Sequence, residues 1–121
     1  MARRMGLVKG GRHMTAEDRL EIIRRAFPGS PVEVESGGDH GDRILVHRFL
    51  SVEPRPVRAR TLVREVVVDG WMACLDNGMD VEYLYEGVSF ANALKEMACA
   101  LARWRVDVAM EQGDPCLVPI R

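Results

Sequence analysis

Apolar positions recur at helical spacing soon after the start of the chain, where Leu20, Ile22, Ile23, Ala26 and Phe27 follow a recognisable start signal. Thr15 stands as N-cap, Glu17 and Asp18 fill the first turn, and Asp18 occupies the acid position of a capping box. Pro28-Gly29 ends the run, so a helix is predicted over 16–27. Period-two alternation follows from Pro31 to Glu35 and again from Arg43 to Leu50. The residues 36–42 between these stretches are Ser, Gly, Asp and His, types that suit a turn. This reads as a hairpin. Pro54 and Pro56 then forbid a central strand and mark a connection of about ten residues.

The stretch 61–87 supports two readings. Leu62, Val63, Val66, Val67, Trp71, Cys74 and Leu75 fit a helical stripe ending at Asn77-Gly78. Against it, Val66-Val67-Val68 followed by Asp69-Gly70 disfavours helix through β-branching and glycine. As strands, Asp69-Gly70 and Asn77-Gly78 become two-residue turns, giving a meander of 62–68, 71–76 and 79–85. That register puts Val63, Val67, Met72, Cys74, Met79, Val81 and Tyr83 on one face. The other face is mixed and holds Trp71 and Leu84. Ser89 then caps a long helix whose stripe is Phe90, Leu94, Met97, Leu101, Trp104 and Val108.

The predicted class is therefore α+β, an antiparallel sheet of about five strands (a hairpin plus a three-stranded meander) between an N-terminal helix and a longer C-terminal helix. It is expected as one domain over 15–112, with a disordered basic tail at 1–14 and an extended tail at 113–121. A chain of 121 residues, 47% hydrophobic, is long enough to bury a core without metal or disulfide staples. No apolar run approaches the ~18 residues that span a bilayer, and no signal-like apolar region opens the chain, so the cytoplasm is the expected compartment. Three cysteines, Cys74, Cys99 and Cys116, without CxxC spacing argue for reduced thiols rather than a disulfide framework or a zinc knuckle.

Net charge is −1, but it is laid out in blocks. Arg3, Arg4, Lys9 and Arg12 precede the acids Glu33, Glu35, Asp39 and Asp42. Arg43, Arg48, Arg55, Arg58, Arg60 and Arg64 then face only Glu53. The stretch from Asp69 to Glu96 is acidic apart from Lys95. Such blocks favour association with a charged partner or with another copy.

Motifs for enzymes are missing: there is no Walker A, G-x-G-x-x-G, H-E-x-x-H or G-x-S-x-G pattern, and no cofactor is implied. Asp39, His40 and Asp42 with His47 have the residue types of a metal or acid/base site, but equally those of a solvated turn. Glu33 and Glu35 fall on one outward strand face with no pocket implied. Arg48, Arg55, Arg58, Arg60 and Arg64 are the nucleic-acid candidates, although the stretch offers only Phe49 for stacking. Trp71 and Leu84, with Cys99, Val106 and Met110 on the far side of the last helix, are the candidates for a protein-binding surface.

Two partial resemblances touch different parts of the chain. Asp69-Gly70-Trp71-Met72-Ala73 through Glu86-Gly87-Val88-Ser89-Phe90 and Ala93-Leu94 resembles the strand, turn, strand and capped helix of HicB-type antitoxins, which implies a protein-neutralising role. Helix one, the hairpin and the arginines before Thr61 are loosely similar to BolA-like domains, with Ala59 standing where that family's characteristic histidine is expected. The reading that results is a small non-enzymatic binding or regulatory module whose partner is a protein, including a second copy of itself. Nucleic-acid binding through the tail and the 43–64 arginines is the alternative, and a small enzyme centred on the His40 loop is the second alternative.

Overall fold

A computed structural model describes residues 14–111. His13, Cys116 and the expected tails, apart from Met14, lie outside the described residues. Helix α1 spans Ala16–Ala26 and is closed at its start by the expected capping box. The Thr15 hydroxyl accepts from the Asp18 amide at 3.1 Å, and the Asp18 carboxylate accepts from the Thr15 amide at 3.1 Å. Strands β1 (Val32–Glu35), β2 (Arg43–Val46), β3 (Leu50–Arg60), β4 (Glu65–Asp76) and β5 (Val81–Gly87) follow, and helix α2 (Phe90–Glu111) completes the order. The sheet runs β1-β2-β3-β4-β5 with every neighbour antiparallel, so the α+β class with a five-stranded antiparallel sheet is as expected.

The core lies on one face of this sheet. Val46, Leu50 and Leu75 oppose one another across β2, β3 and β4, and Ile44, Val52 and Ala73 form the next row. Ile23 and Phe27 at the end of α1, with Phe90, Leu94, Met97 and Leu101 of α2, close over these rows. Each such buried side chain contributes roughly 1.5–3 kcal/mol through removal from water. Ser89 caps α2 as expected, its hydroxyl accepting from the Asn92 amide at 3.0 Å. The opposite face carries alternate residues that stay in water, among them Glu35, Arg43 and Glu53. Arg43 bridges the two acids at 3.4 and 2.8 Å.

Four local expectations change. Residues 43–50 are not one strand: His47 (φ 56°) and Arg48 (φ 69°) turn the chain between β2 and β3. The turn is held where the His47 amide donates to the Pro31 carbonyl at 2.9 Å and its Nε2 lies 3.0 Å from the Ser30 hydroxyl. Pro54 and Pro56 lie inside the 11-residue β3 rather than in a connection. Asp69-Gly70 lies inside the 12-residue β4 rather than in a turn, so residues 61–76 are neither helix nor hairpin of the expected register.

Glycine at position 70 answers a close backbone approach instead of a turn. A Cβ there would sit 2.6 Å from the Gly87 carbonyl oxygen and 2.6 Å from a Val57 methyl. The hairpin between β3 and β4 turns at Thr61–Arg64, where the Thr61 hydroxyl accepts from the Arg64 amide at 3.0 Å and the Thr61 amide donates to the Arg64 carbonyl at 2.8 Å. Asn77-Gly78 does turn the chain. The loop is longer than two residues, with Asp76 opposite Val81 and the Asn77 side-chain oxygen accepting from the Met79 and Asp80 amides at 2.9 Å each.

Candidate interaction surface

The two long strands outrun their neighbours. β2 pairs with β3 only as far as Val52, and β5 pairs with β4 only as far as Trp71. Among the described residues, Arg55–Arg60 and Glu65–Gly70 therefore pair only with each other, and they form a two-stranded ribbon about 20 Å long beyond the sheet. Its faces differ in chemistry. One carries the cross-strand pairs Val57 with Val68 and Ala59 with Val66. The other carries Pro56 with Asp69, Arg58 with Val67, and Arg60 with Glu65. At the tip Leu62 and Val63 are almost wholly exposed, and Val67 is 69% exposed.

The ribbon's two edges are not equivalent. In an antiparallel pair, residues alternate between those bonding the neighbour and those whose N–H and C=O point away. Proline is accommodated where its missing N–H would point away. Pro54 and Pro56 thus mark the outward positions of β3 and leave that edge short of donors. Their register carries the same alternation to β4, where Glu65, Val67 and Asp69 direct N–H and C=O away from β3. That edge holds no proline and, among the described residues, pairs with nothing beyond Trp71.

The structure separates the five residues expected to form a protein-binding surface. Trp71 is half-buried, its ring 4.6 Å from that of Phe90 and under the Arg19 guanidinium at 5.3 Å. Leu84 is half-buried against the core. Cys99, Val106 and Met110 are exposed at spacings of seven and four along one side of α2. Arg103, which pairs with Glu82 at 3.7 Å, falls on the same side. A second apolar surface, a groove of about 610 Å³ between α1 and α2, includes Ile22, Trp71, Val88 and Phe90.

The arginine set divides likewise. Arg48 lies in the β2–β3 turn, 3.4 Å from Glu33, about 30 Å of strand away from the ribbon tip. Arg55 pairs with Glu86 at 3.1 Å and Arg58 lies 3.8 Å from Glu65. Arg60 and Arg64 make no ion pair among the described residues.

Asp39, His40 and Asp42 share the β1–β2 loop, where Asp39 and His40, but not Asp42, line a shallow cavity of about 180 Å³ with Glu35 and Arg43. His47 stands at the other end of β2, against Phe49 and Trp104 at ring distances of 5.8 and 5.9 Å, so the four are not one site. Among the described residues no group of three His, Cys, Asp or Glu side chains is placed to hold a metal, and no helix is long and apolar enough to cross a membrane.

Burial pushes the Cys74 thiol above its ordinary range. Glu53 adds to the shift, while Arg43 and Arg55 oppose it, so the sulfur is held as the neutral thiol rather than the nucleophilic thiolate. Cys99 is exposed.

The free β4 edge escaped sequence reasoning because Asp69-Gly70 read as a turn. The signal that marks it is the proline pair at i and i+2, which is compatible with a long strand only at an outer edge. Comparison with known proteins gave no match to a family model, a curated protein or a solved structure.

Proposed function

We propose that this chain is a small non-enzymatic binding module that acts through protein–protein association, with the β3–β4 ribbon as its contact surface. The observation that carries this reading is the ribbon itself, two strands that outrun their neighbours in the sheet with one unblocked edge. An isolated two-stranded ribbon is marginal in water, and a third strand or a packed layer stabilises it. An unpaired, β-branched edge is also the feature by which extended chains add to a sheet. The candidate catalytic groups give no competing site: the His40 loop and His47 are apart, and the Cys74 thiol is buried and neutral.

Nucleic-acid binding is the second reading, favoured by one observation. A two-stranded ribbon fits the major groove, and Arg60 and Arg64 at the tip have no acidic partner among the described residues. Against it, Glu65 and Asp69 share the ribbon's polar face with Arg58 and Arg60.

The test is affinity capture from native lysate with and without nuclease, comparing the unaltered chain with Val67→Pro. That substitution removes an outward N–H and spares the β3–β4 ladder. A stoichiometric protein retained through nuclease and lost with Val67→Pro is the expected result. Retention that vanishes with nuclease transfers the ribbon to nucleic acid, and capture indifferent to Val67→Pro rejects the ribbon as the contact.

A further inference from the structure

We infer that the partner of the free β4 edge is the same edge of a second copy of this chain, paired antiparallel about a two-fold axis at Val67. The inference rests on the reading of the ribbon as a contact surface and names its occupant. In this register Val67 opposes its own equivalent, Val66 opposes the second copy's Val68, and Glu65 opposes the second copy's Asp69. All three outward-facing residues of β4 then exchange hydrogen bonds, and the two ribbons merge into one four-stranded sheet.

Self-complementarity is what points to a second copy. On the aliphatic face, the existing pairs of Ala59 with Val66 and Val57 with Val68 join end to end. They form two equivalent rows, each running Ala59, Val66, the second copy's Val68 and the second copy's Val57 across four strands. On the other face the paired ribbons bring together Arg58, Arg60, Glu65 and Asp69 from both copies, so basic and acidic groups balance. The opposed Glu65 and Asp69 have Arg60 beside them in the same row and Arg58 in the next; Arg58 already lies 3.8 Å from Glu65.

The blocked β3 edge completes the argument. Pro54 and Pro56 stop strand addition on that side, so the assembly closes as a dimer instead of growing into a fibre. A contact made by one short strand edge belongs to the weak, concentration-dependent class of interfaces.

The test uses the full chain with Cys99→Ser and Cys116→Ser. Sedimentation up to about 1 mM protein should show a monomer–dimer equilibrium, and Val67→Pro should weaken it at least about tenfold. In the same background, Val67→Cys should form an interchain disulfide under mild oxidation, because directly opposed hydrogen-bonded positions place Cα atoms about 5.5 Å apart. Val63→Cys at the tip and Tyr83→Cys on exposed β5 are the controls and should cross-link far less.

A chain that stays monomeric over this range, or cross-links equally at the three positions, overturns the inference. If Val67→Pro still abolishes capture of a different protein, the contact-surface reading stands without it. Amide exchange of Glu65, Val67 and Asp69 separates the remaining case: slow exchange in a monomer shows the edge covered by the chain's own residues 1–13 or 112–121, and overturns both.

Discussion

The two ends of β3 and β4 are built from similar residues and meet opposite surroundings. Near the β2–β3 turn, Leu50, Val52 and Ala73 are at most 1% exposed, covered by α1 and α2 and flanked by β2 and β5. Toward the Thr61–Arg64 turn the same strands continue as Val66-Val67-Val68, of which Val66 and Val68 are half-buried and Val67 is 69% exposed. Val52 and Val67, of equal propensity, therefore meet different surroundings at the two ends. Val52 supplies core; in the ribbon Val57 is buried as well, Val66 and Val68 are half-buried, and Val67, on the polar face, is left largely in water. The difference teaches that strand propensity says little about which part of a strand is structural and which part is a contact surface.

The sharpest way to break this comparison is to remove volume at the covered end. Leu50→Ala should lose about 3 kcal/mol of stability in chemical denaturation, the range for a fully buried leucine that leaves a cavity. Loss within experimental error would mean that the covered end is not the core. Gly70→Ala probes the boundary between the two ends. The added methyl meets the Gly87 carbonyl and Val57, and destabilisation of about 1–3 kcal/mol is expected, read as a lower thermal midpoint. A neutral result would show that the close approach of β5 to β4 is absent in solution. At the far end, Leu62→Ser should shift stability by no more than about 0.5 kcal/mol, since its side chain is fully exposed. A larger loss measured in dilute, monomeric protein would show the tip packed by the chain itself, and the contrast between the two ends would fall.

Much of the fold was legible along the chain. Thr15 with Asp18, Pro28-Gly29, the glycine-rich 36–42 loop, Asn77-Gly78 and Ser89 are local signals, and each does locally what its chemistry demands. The misread positions share one cause. Pro54, Pro56 and Gly70 have strong local meanings as breakers, but here they are governed by what lies beside them: open edges for the prolines, the Gly87 carbonyl for the glycine. Likewise His47 and Arg48 turn the chain at positive φ without glycine, held by Ser30 and Pro31, which are distant in sequence.

The candidate surface was less legible than the fold. Trp71 read as exposed because its strand partners were misassigned, and the Phe90 ring and the Arg19 guanidinium cover it. Cys99, Val106 and Met110 were placed correctly on the outer side of α2, since helical spacing alone sets that side. Arg58 and Arg60 share one face of the ribbon, whereas Arg55 falls on the other face beside Glu86 and Arg48, close in sequence, lies at the opposite end of β3.

By itself the sequence determined the α+β class of the fold and both helix starts, because caps, turns and periodicity act over three to seven residues. Only the tertiary structure decided where β3 and β4 outrun their neighbours, which of their edges is blocked and which valines lack cover. Those properties belong to pairings between residues far apart in the chain, and no local pattern encodes how long a neighbouring strand will be.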